Sequence, residues 1–260
     1  MWFLGDVDIK KSKYILPSLF TSASLLFSFL AIVSAFQKDF TQCAYYILLA
    51  GFADAFDGKI ARYTNTQTKF GAALDSLADV VSFGATPALV MYFWCLHSIG
   101  TLGVAISFFY MLAVALRLAK FDTQDVTGLS EDKLLEGKKY FYGMPCPAGA
   151  VTLSGLILMG VWIFGDGTTV TDYGLYIQTL VTSLTAIYIS LMMVGDIKFR
   201  SFKDSDGEGH VSKLYIIGLL LILVMLLTMP EKLLYFIMIG YALSGPISHY
   251  QHIKSERKEK

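Results

Sequence analysis

A chain of 260 residues with 55% hydrophobic residues, 16% charged residues and a mean hydropathy of +0.55 is poorly matched to a soluble enzyme, in which about a quarter of the residues are charged. Its 21 Lys and Arg balance 21 Asp and Glu, so no net field favours nucleic acid as a partner. The apolar residues are gathered instead into blocks of the length a bilayer asks of a helix, roughly 20 residues each.

Eight such blocks run in chain order over 15–36, 40–62, 72–96, 99–120, 145–164, 174–194, 212–229 and 233–250. They are built from Leu, Ile, Phe, Val, Ala and Gly without the alternation of a membrane barrel, so helices are the way to satisfy the backbone in lipid. The expected fold is all-α, a polytopic transmembrane bundle of about eight helices. The first block follows Asp6, Asp8, Lys10, Lys11 and Lys13 and lacks a small-residue cleavage site, so it is expected to stay as a helix. Eight crossings put both termini on one side. If that side is cytoplasmic, only Lys38 and Lys232 of the 21 basic residues fall outside, which is the positive-inside pattern. The predicted location is therefore the cell membrane, with both termini facing the cytoplasm. The 165–173 connection has no basic residue and reads as an outer loop; the 196–213 connection, with Lys198, Arg200, Lys203 and Lys213, reads as a solvated inner loop. Cys43, Cys95 and Cys146 share no ligand spacing and read as small buried apolar residues.

The informative stretch is 51–84. Asp54 and Asp57 fall inside the second apolar block, Asp75 and Asp79 inside the third. A carboxylate at membrane depth costs several kcal/mol unless it is paired or coordinated, and marks a functional site by default. The spacings are i, i+3 and i, i+4, so each pair projects from one helix face. The short polar connection near 63–71 makes the two helices antiparallel neighbours whose acidic faces can meet. Arg62, with Lys59 close by, cannot neutralise four carboxylates. Hard oxygen donors in this number suit Mg²⁺, Mn²⁺ or Ca²⁺, and two ions would balance the charge. Gly58 and Gly71 flank the acidic residues where a ligand can approach the backbone. The bland alternative, four Asp that cap helices or form internal ion pairs, accounts poorly for this spacing.

These residues spell D-x-x-D-G-x-x-A-R-x8-G-x-x-x-D-x-x-x-D, with Asp54, Asp57, Gly58, Ala61, Arg62, Gly71, Asp75 and Asp79 at the fixed positions. The pattern resembles that of the CDP-alcohol phosphotransferases. The resemblance implies a six-helix core over about 15–195. Residues 1–195 would then be that core with its N-terminal cytoplasmic segment, and 196–260 an added loop, two further helices and a basic tail. It also implies a reaction in which an alcohol attacks the β-phosphorus of a CDP-linked lipid and CMP leaves. By the same resemblance Asp54, Asp57, Asp75 and Asp79 hold two divalent metal ions, and Asp79 doubles as general base. Gly58, Ala61, Arg62, Thr68 and Gly71 would bind the CDP-lipid, Arg62 by its phosphate. The residues alone do not single out the base among the four carboxylates. Members of the family commonly form homodimers, which is the expectation here.

The continuation Asp75-Ser76-Leu77-Ala78-Asp79-Val80-Val81-Ser82-Phe83-Gly84-Ala85-Thr86-Pro87 is similar to the phosphatidylserine synthase branch. So are Leu116–Phe121, Phe141–Ala148, Leu191–Val194 leading to Arg200–Lys203, and Tyr241–Pro246. Ser18 and Ser24 depart from it where the branch has Asn in the first helix, and Lys120 stands where Arg is common. The implied substrates are CDP-diacylglycerol, or an archaeal CDP-ether lipid, and L-serine. Arg117 offers a guanidinium fork to the serine carboxylate or the donor phosphates; its alternative is a positive-inside anchor. Ser82 could bind the acceptor or a ligand carboxylate, or else bond its own backbone. Glycerol 3-phosphate or inositol phosphate as acceptor would keep the chemistry, but both would ask for more basic residues. A divalent-cation transporter is the reading from another class; it leaves Gly58, Ala61, Arg62 and Gly71 unexplained, and the internal repeat common in transporters is not evident.

Overall fold

The computed structural model describes residues 9–64, 68–126, 140–165, 171–195, 198–200 and 235–246. They form a helical bundle. In chain order it comprises α1 (Ile9–Phe36), α2 (Phe40–Thr64), α3 (Lys69–Asp79), a π turn (Val80–Ala85), α4 (Thr86–Trp94), a 3-10 turn (Leu96–Ile99), α5 (Thr101–Val126), β1 (Tyr140–Tyr142), α6 (Cys146–Phe164), α7 (Asp172–Val194) and β2 (Lys198–Arg200). Residues 235–246 form a further helix, α8. Among the described residues, five stretches are long and apolar enough to cross a membrane: Ser18–Phe36, Phe70–Trp94, Thr101–Lys120, Cys146–Phe164 and Asp172–Val194. The chain is a multi-pass membrane protein. The block expected over 212–229 and the ends of that over 233–250 lie outside the described residues.

The pairing of α1 with α2 is the most extensive in the bundle. Its cause is a face of small residues. Thr21, Ser24, Ser28, Ala31 and Ala35 recur at three and four residues along α1 and are buried, while Leu26 and Phe29 stay exposed. On α2 the buried stripe is Phe40, Cys43, Ile47 and Ala50, and the next member of that series is Asp54. Between helices in lipid there is little hydrophobic drive, so small residues that let backbones approach carry the association. Asp39 starts α2, its carboxylate accepting the Gln42 N–H at 2.9 Å.

The block expected as one helix over 72–96 starts at Lys69 and is interrupted by the π turn. The cause is Pro87, in the first turn of α4. In an unbroken α-helix its ring would clash with the carbonyl of Phe83, four residues back, and no N–H would reach that carbonyl. The chain widens instead, with the Thr86 N–H bonded to the Val81 carbonyl. After α4 the chain turns through Gly100 at φ +58 into α5. That helix runs on to Val126, past the expected end at 120.

Glycines set the packing of α6. A Cβ on Gly149 would overlap Met193, one on Gly160 would overlap the ring of Trp94, and one on Gly155 would sit 3.0 Å from the backbone of Tyr235. The last contact seats α8 on α6, and the Tyr188 hydroxyl ties α8 to α7 by donating to the Ala242 carbonyl at 2.8 Å.

One element had no sequence signal. Within the connection read as a solvated loop, Lys198–Arg200 pairs antiparallel with Tyr140–Tyr142, Tyr140 opposite Arg200 and Tyr142 opposite Lys198. The Met144 N–H extends the contact to the Met192 carbonyl at 3.0 Å. Three residues are too few for a detectable alternation. The pairing places the start of α6 beside the end of α7.

Candidate active site

Asp54 is carried by the buried stripe of α2, and Asp75 and Asp79 lie one turn apart on α3. Their carboxylates converge: one oxygen from each lies within 4.8 Å of the other two, and all three residues are half-buried. Ligand oxygens on a single hard cation sit at roughly 2.0–2.6 Å from it and so within about 5 Å of one another. The donor set therefore fits a divalent ion in both chemistry and spacing. Asp57 lies three residues beyond Asp54 on α2; its side chain, with those of Ala61 and Arg62 and the surroundings of Gly58, lies outside the described residues.

Thr68 and Gly71 form the start of α3. The Thr68 hydroxyl oxygen accepts the Gly71 N–H at 2.9 Å, capping the helix, and a Cβ on Gly71 would stand 3.1 Å from that oxygen. Both are one to two turns ahead of Asp75. The cap fixes where α3 begins and hence which residues face α2.

Ser82 is fully buried and engaged with α1: the Ser28 hydroxyl donates to it at 2.8 Å, and the Ser24 hydroxyl lies 3.2 Å away. This contact was not among those considered from the sequence, because it joins residues more than fifty apart. Ser24, noted as a departure from the branch pattern, is a member of that buried group.

Arg117, in the C-terminal part of α5, donates from Nη1 to the Cys146 thiol at 3.2 Å. Cys146 begins α6 and is within electrostatic range of both Arg117 and Asp79, which puts the guanidinium at the carboxylate end of the bundle. Tyr241 of α8 is within electrostatic range of Arg117. Sequence reasoning gave neither Cys146 nor Tyr241 a place near the site. The only hints were the Phe141–Ala148 match for Cys146 and the Tyr241–Pro246 match for Tyr241.

A family model described as CDP-alcohol phosphatidyltransferase matches residues 14–194. Curated relatives named CDP-diacylglycerol–serine O-phosphatidyltransferase include one from Helicobacter pylori, 31% identical over 212 residues, covering 81% of this chain and 82% of the relative. One from Mycobacterium tuberculosis is 35% identical over 176 residues, 68% of this chain and 59% of the relative. One from the archaeon Methanocaldococcus jannaschii is 34% identical over 158 residues, 61% of this chain and 63% of the relative. With a match over most of its length and three of the four acidic residues of the family pattern gathered together, the chain belongs to the CDP-alcohol phosphatidyltransferase family.

Proposed function

We infer that the chain transfers a phosphatidyl group from CDP-diacylglycerol to the hydroxyl of L-serine, releasing CMP and giving phosphatidylserine. The observation that carries this reading is the convergence of Asp54, Asp75 and Asp79 from two helices, with Arg117 at the same end of the bundle. The names of its relatives support serine as the acceptor.

The hydroxyl oxygen of serine forms the new bond to the phosphatidyl phosphorus as the bond from that phosphorus to CMP breaks. Asp79 takes the hydroxyl proton. The carboxylates of Asp54, Asp57, Asp75 and Asp79 would hold two divalent ions, Mg²⁺ or Mn²⁺, which when bound neutralise the pyrophosphate and stabilise the charge that develops on transfer. Arg62 pairs with a donor phosphate, and Thr68 and Gly71 shape the approach to the backbone for the nucleotide. Arg117 binds the serine carboxylate through its planar fork. The positive-inside distribution supports a site that opens toward the cytoplasm, where free serine and the polar head of the donor meet.

The test is an acceptor screen: purified protein, CDP-diacylglycerol and Mn²⁺ or Mg²⁺ with radiolabelled serine, glycerol 3-phosphate or inositol phosphate. Labelled phosphatidylserine is the expected product, formed only with the metal and abolished by a chelator. Turnover with another alcohol and none with serine would refute the assignment. Arg117→Lys keeps the charge but loses the bidentate fork. It is expected to raise the KM for serine by roughly tenfold with the KM for CDP-diacylglycerol unchanged; unaltered kinetics would assign Arg117 to anchoring alone.

A further inference from the structure

Asp79 is the last residue of α3, and the six residues that follow it are the π turn. Neighbouring helices hold that turn through three contacts. The Ser28 hydroxyl of α1 donates to Ser82 at 2.8 Å, the Ser24 hydroxyl lies 3.2 Å from the same oxygen, and the Tyr110 hydroxyl of α5 donates to the Phe83 carbonyl at 3.0 Å. Ser28, Ser82, Phe83 and Tyr110 are each 0% exposed.

The third contact follows from the sequence. The carbonyl of Phe83 would take the N–H of residue 87 in an α-helix, and residue 87 is proline. A backbone carbonyl inside a membrane bundle needs a donor from elsewhere, and Tyr110 brings one. The turn also has a geometric effect. An α-helix advances 100° per residue, and a π turn takes up about one residue more than an α turn. The acidic face of α3 and the buried face of α4, with Val90, Met91 and Trp94, are thus set at a relative angle that an uninterrupted helix would not give. With α4 fixed by packing on α1 and α5, the angle held across the turn sets where Asp79 points relative to Asp54.

We propose that Tyr110 and Ser28 are positioning residues for the carboxylate centre: by holding the π turn from α5 and α1, they fix the setting of Asp79 against Asp54 without touching either substrate. The proposal rests on the reading of Asp54, Asp75 and Asp79 as metal-holding residues. A helix-to-helix tie with no bearing on the site is the competing account. It differs in what it leaves unchanged, since a plain tie alters stability but not the metal affinity of the folded protein.

The experiment measures Mn²⁺ binding directly by electron paramagnetic resonance, beside the Mn²⁺ dependence of transfer, on the full-length protein and its variants. Tyr110→Phe is expected to weaken Mn²⁺ binding, and to raise the Mn²⁺ concentration for half-maximal transfer, by about tenfold, the low end of what loss of a group supporting metal ligands does. The KM for CDP-diacylglycerol at saturating Mn²⁺ stays within about twofold. Ser28→Ala shifts Mn²⁺ binding in the same direction. Pro87→Ala returns an N–H to the chain, so adding Tyr110→Phe to that background is expected to change Mn²⁺ binding by less than about twofold further, a coupling that independent sites do not give. Folded Tyr110→Phe protein with wild-type Mn²⁺ binding would overturn the proposal. If Tyr110→Phe does not fold, Ser28→Ala decides by the same readout. Wild-type protein that binds no Mn²⁺ would overturn the underlying reading of the carboxylates, an outcome distinct from a wild type that binds Mn²⁺ and variants that bind it equally well.

Discussion

Asp79→Asn is expected to lower phosphatidyl transfer by about 10³-fold while the protein remains folded. The substitution keeps the volume of the side chain and one oxygen but removes the ability to accept a proton, and a positioned general base contributes typically 10²–10⁴-fold. Asp79 is also one of the three residues whose oxygens lie within 4.8 Å of each other, so metal affinity falls as well. The two losses separate by titration with Mn²⁺. Asp54→Asn and Asp75→Asn are expected to recover much of their activity as Mn²⁺ is raised, because each loses only a ligand, whereas Asp79→Asn stays inactive at saturation. Release of CMP, measured with serine in excess across a Mn²⁺ series, gives the comparison. An Asp79→Asn enzyme that regained full turnover at high Mn²⁺ would remove Asp79 from the role of base.

Gly103→Val is expected to do the reverse, abolishing the fold without touching the chemistry. A Cβ at residue 103 would overlap the carbonyl oxygen and carbon of Leu96, backbone atoms that no rotamer change can move aside. The 3-10 turn and the start of α5 would have to separate, at an expected loss of about 3 kcal/mol or more. Residue 103 is fourteen positions from Arg117, about 21 Å along a helix, so the carboxylate end is not directly disturbed. Loss of monodisperse protein in detergent and a lowered unfolding temperature are the readouts. Any fraction that remains folded should keep the Mn²⁺ dependence of the wild type. Normal yield and thermal stability would show that residue 103 has room for a side chain beside Leu96.

The convergence of Asp54, Asp75 and Asp79 was legible because its signal is local. Asp54 and Asp57, and Asp75 and Asp79, are pairs within single helices, and helical periodicity alone puts each pair on one face. Their occurrence inside apolar blocks marked them without any knowledge of the fold. The buried Ser24, Ser28 and Ser82 group was not legible in the same way, because serines scattered through apolar helices bond their own backbone as readily as a neighbour. Pro87 did carry a signal, since a proline inside an apolar run marks a distortion, but the direction of that distortion and the donor that satisfies Phe83 are set by α5. The strand pair lay beyond reach for the opposite reason. Its segments are short, and the helices they follow bring them together.

Membrane assembly puts α2 in a position that its catalytic role does not suggest. It packs against both α1 and α6, yet its C-terminal half carries Asp54, Asp57, Lys59 and Arg62. Each acidic or basic residue at the centre of a helix opposes insertion by about 2.5–3.5 kcal/mol. The helix that bears Asp54 is therefore poorly suited to enter lipid alone. α1 precedes it by a three-residue turn and meets it along the small-residue face, so the pair is suited to enter as one hairpin, with α1 supplying the hydrophobicity that α2 gave up. α1 is then suited to carry the Asp54-bearing helix into the membrane, and a bulky substitution on its small-residue face would be felt first as a failure of topology and only later as a loss of rate.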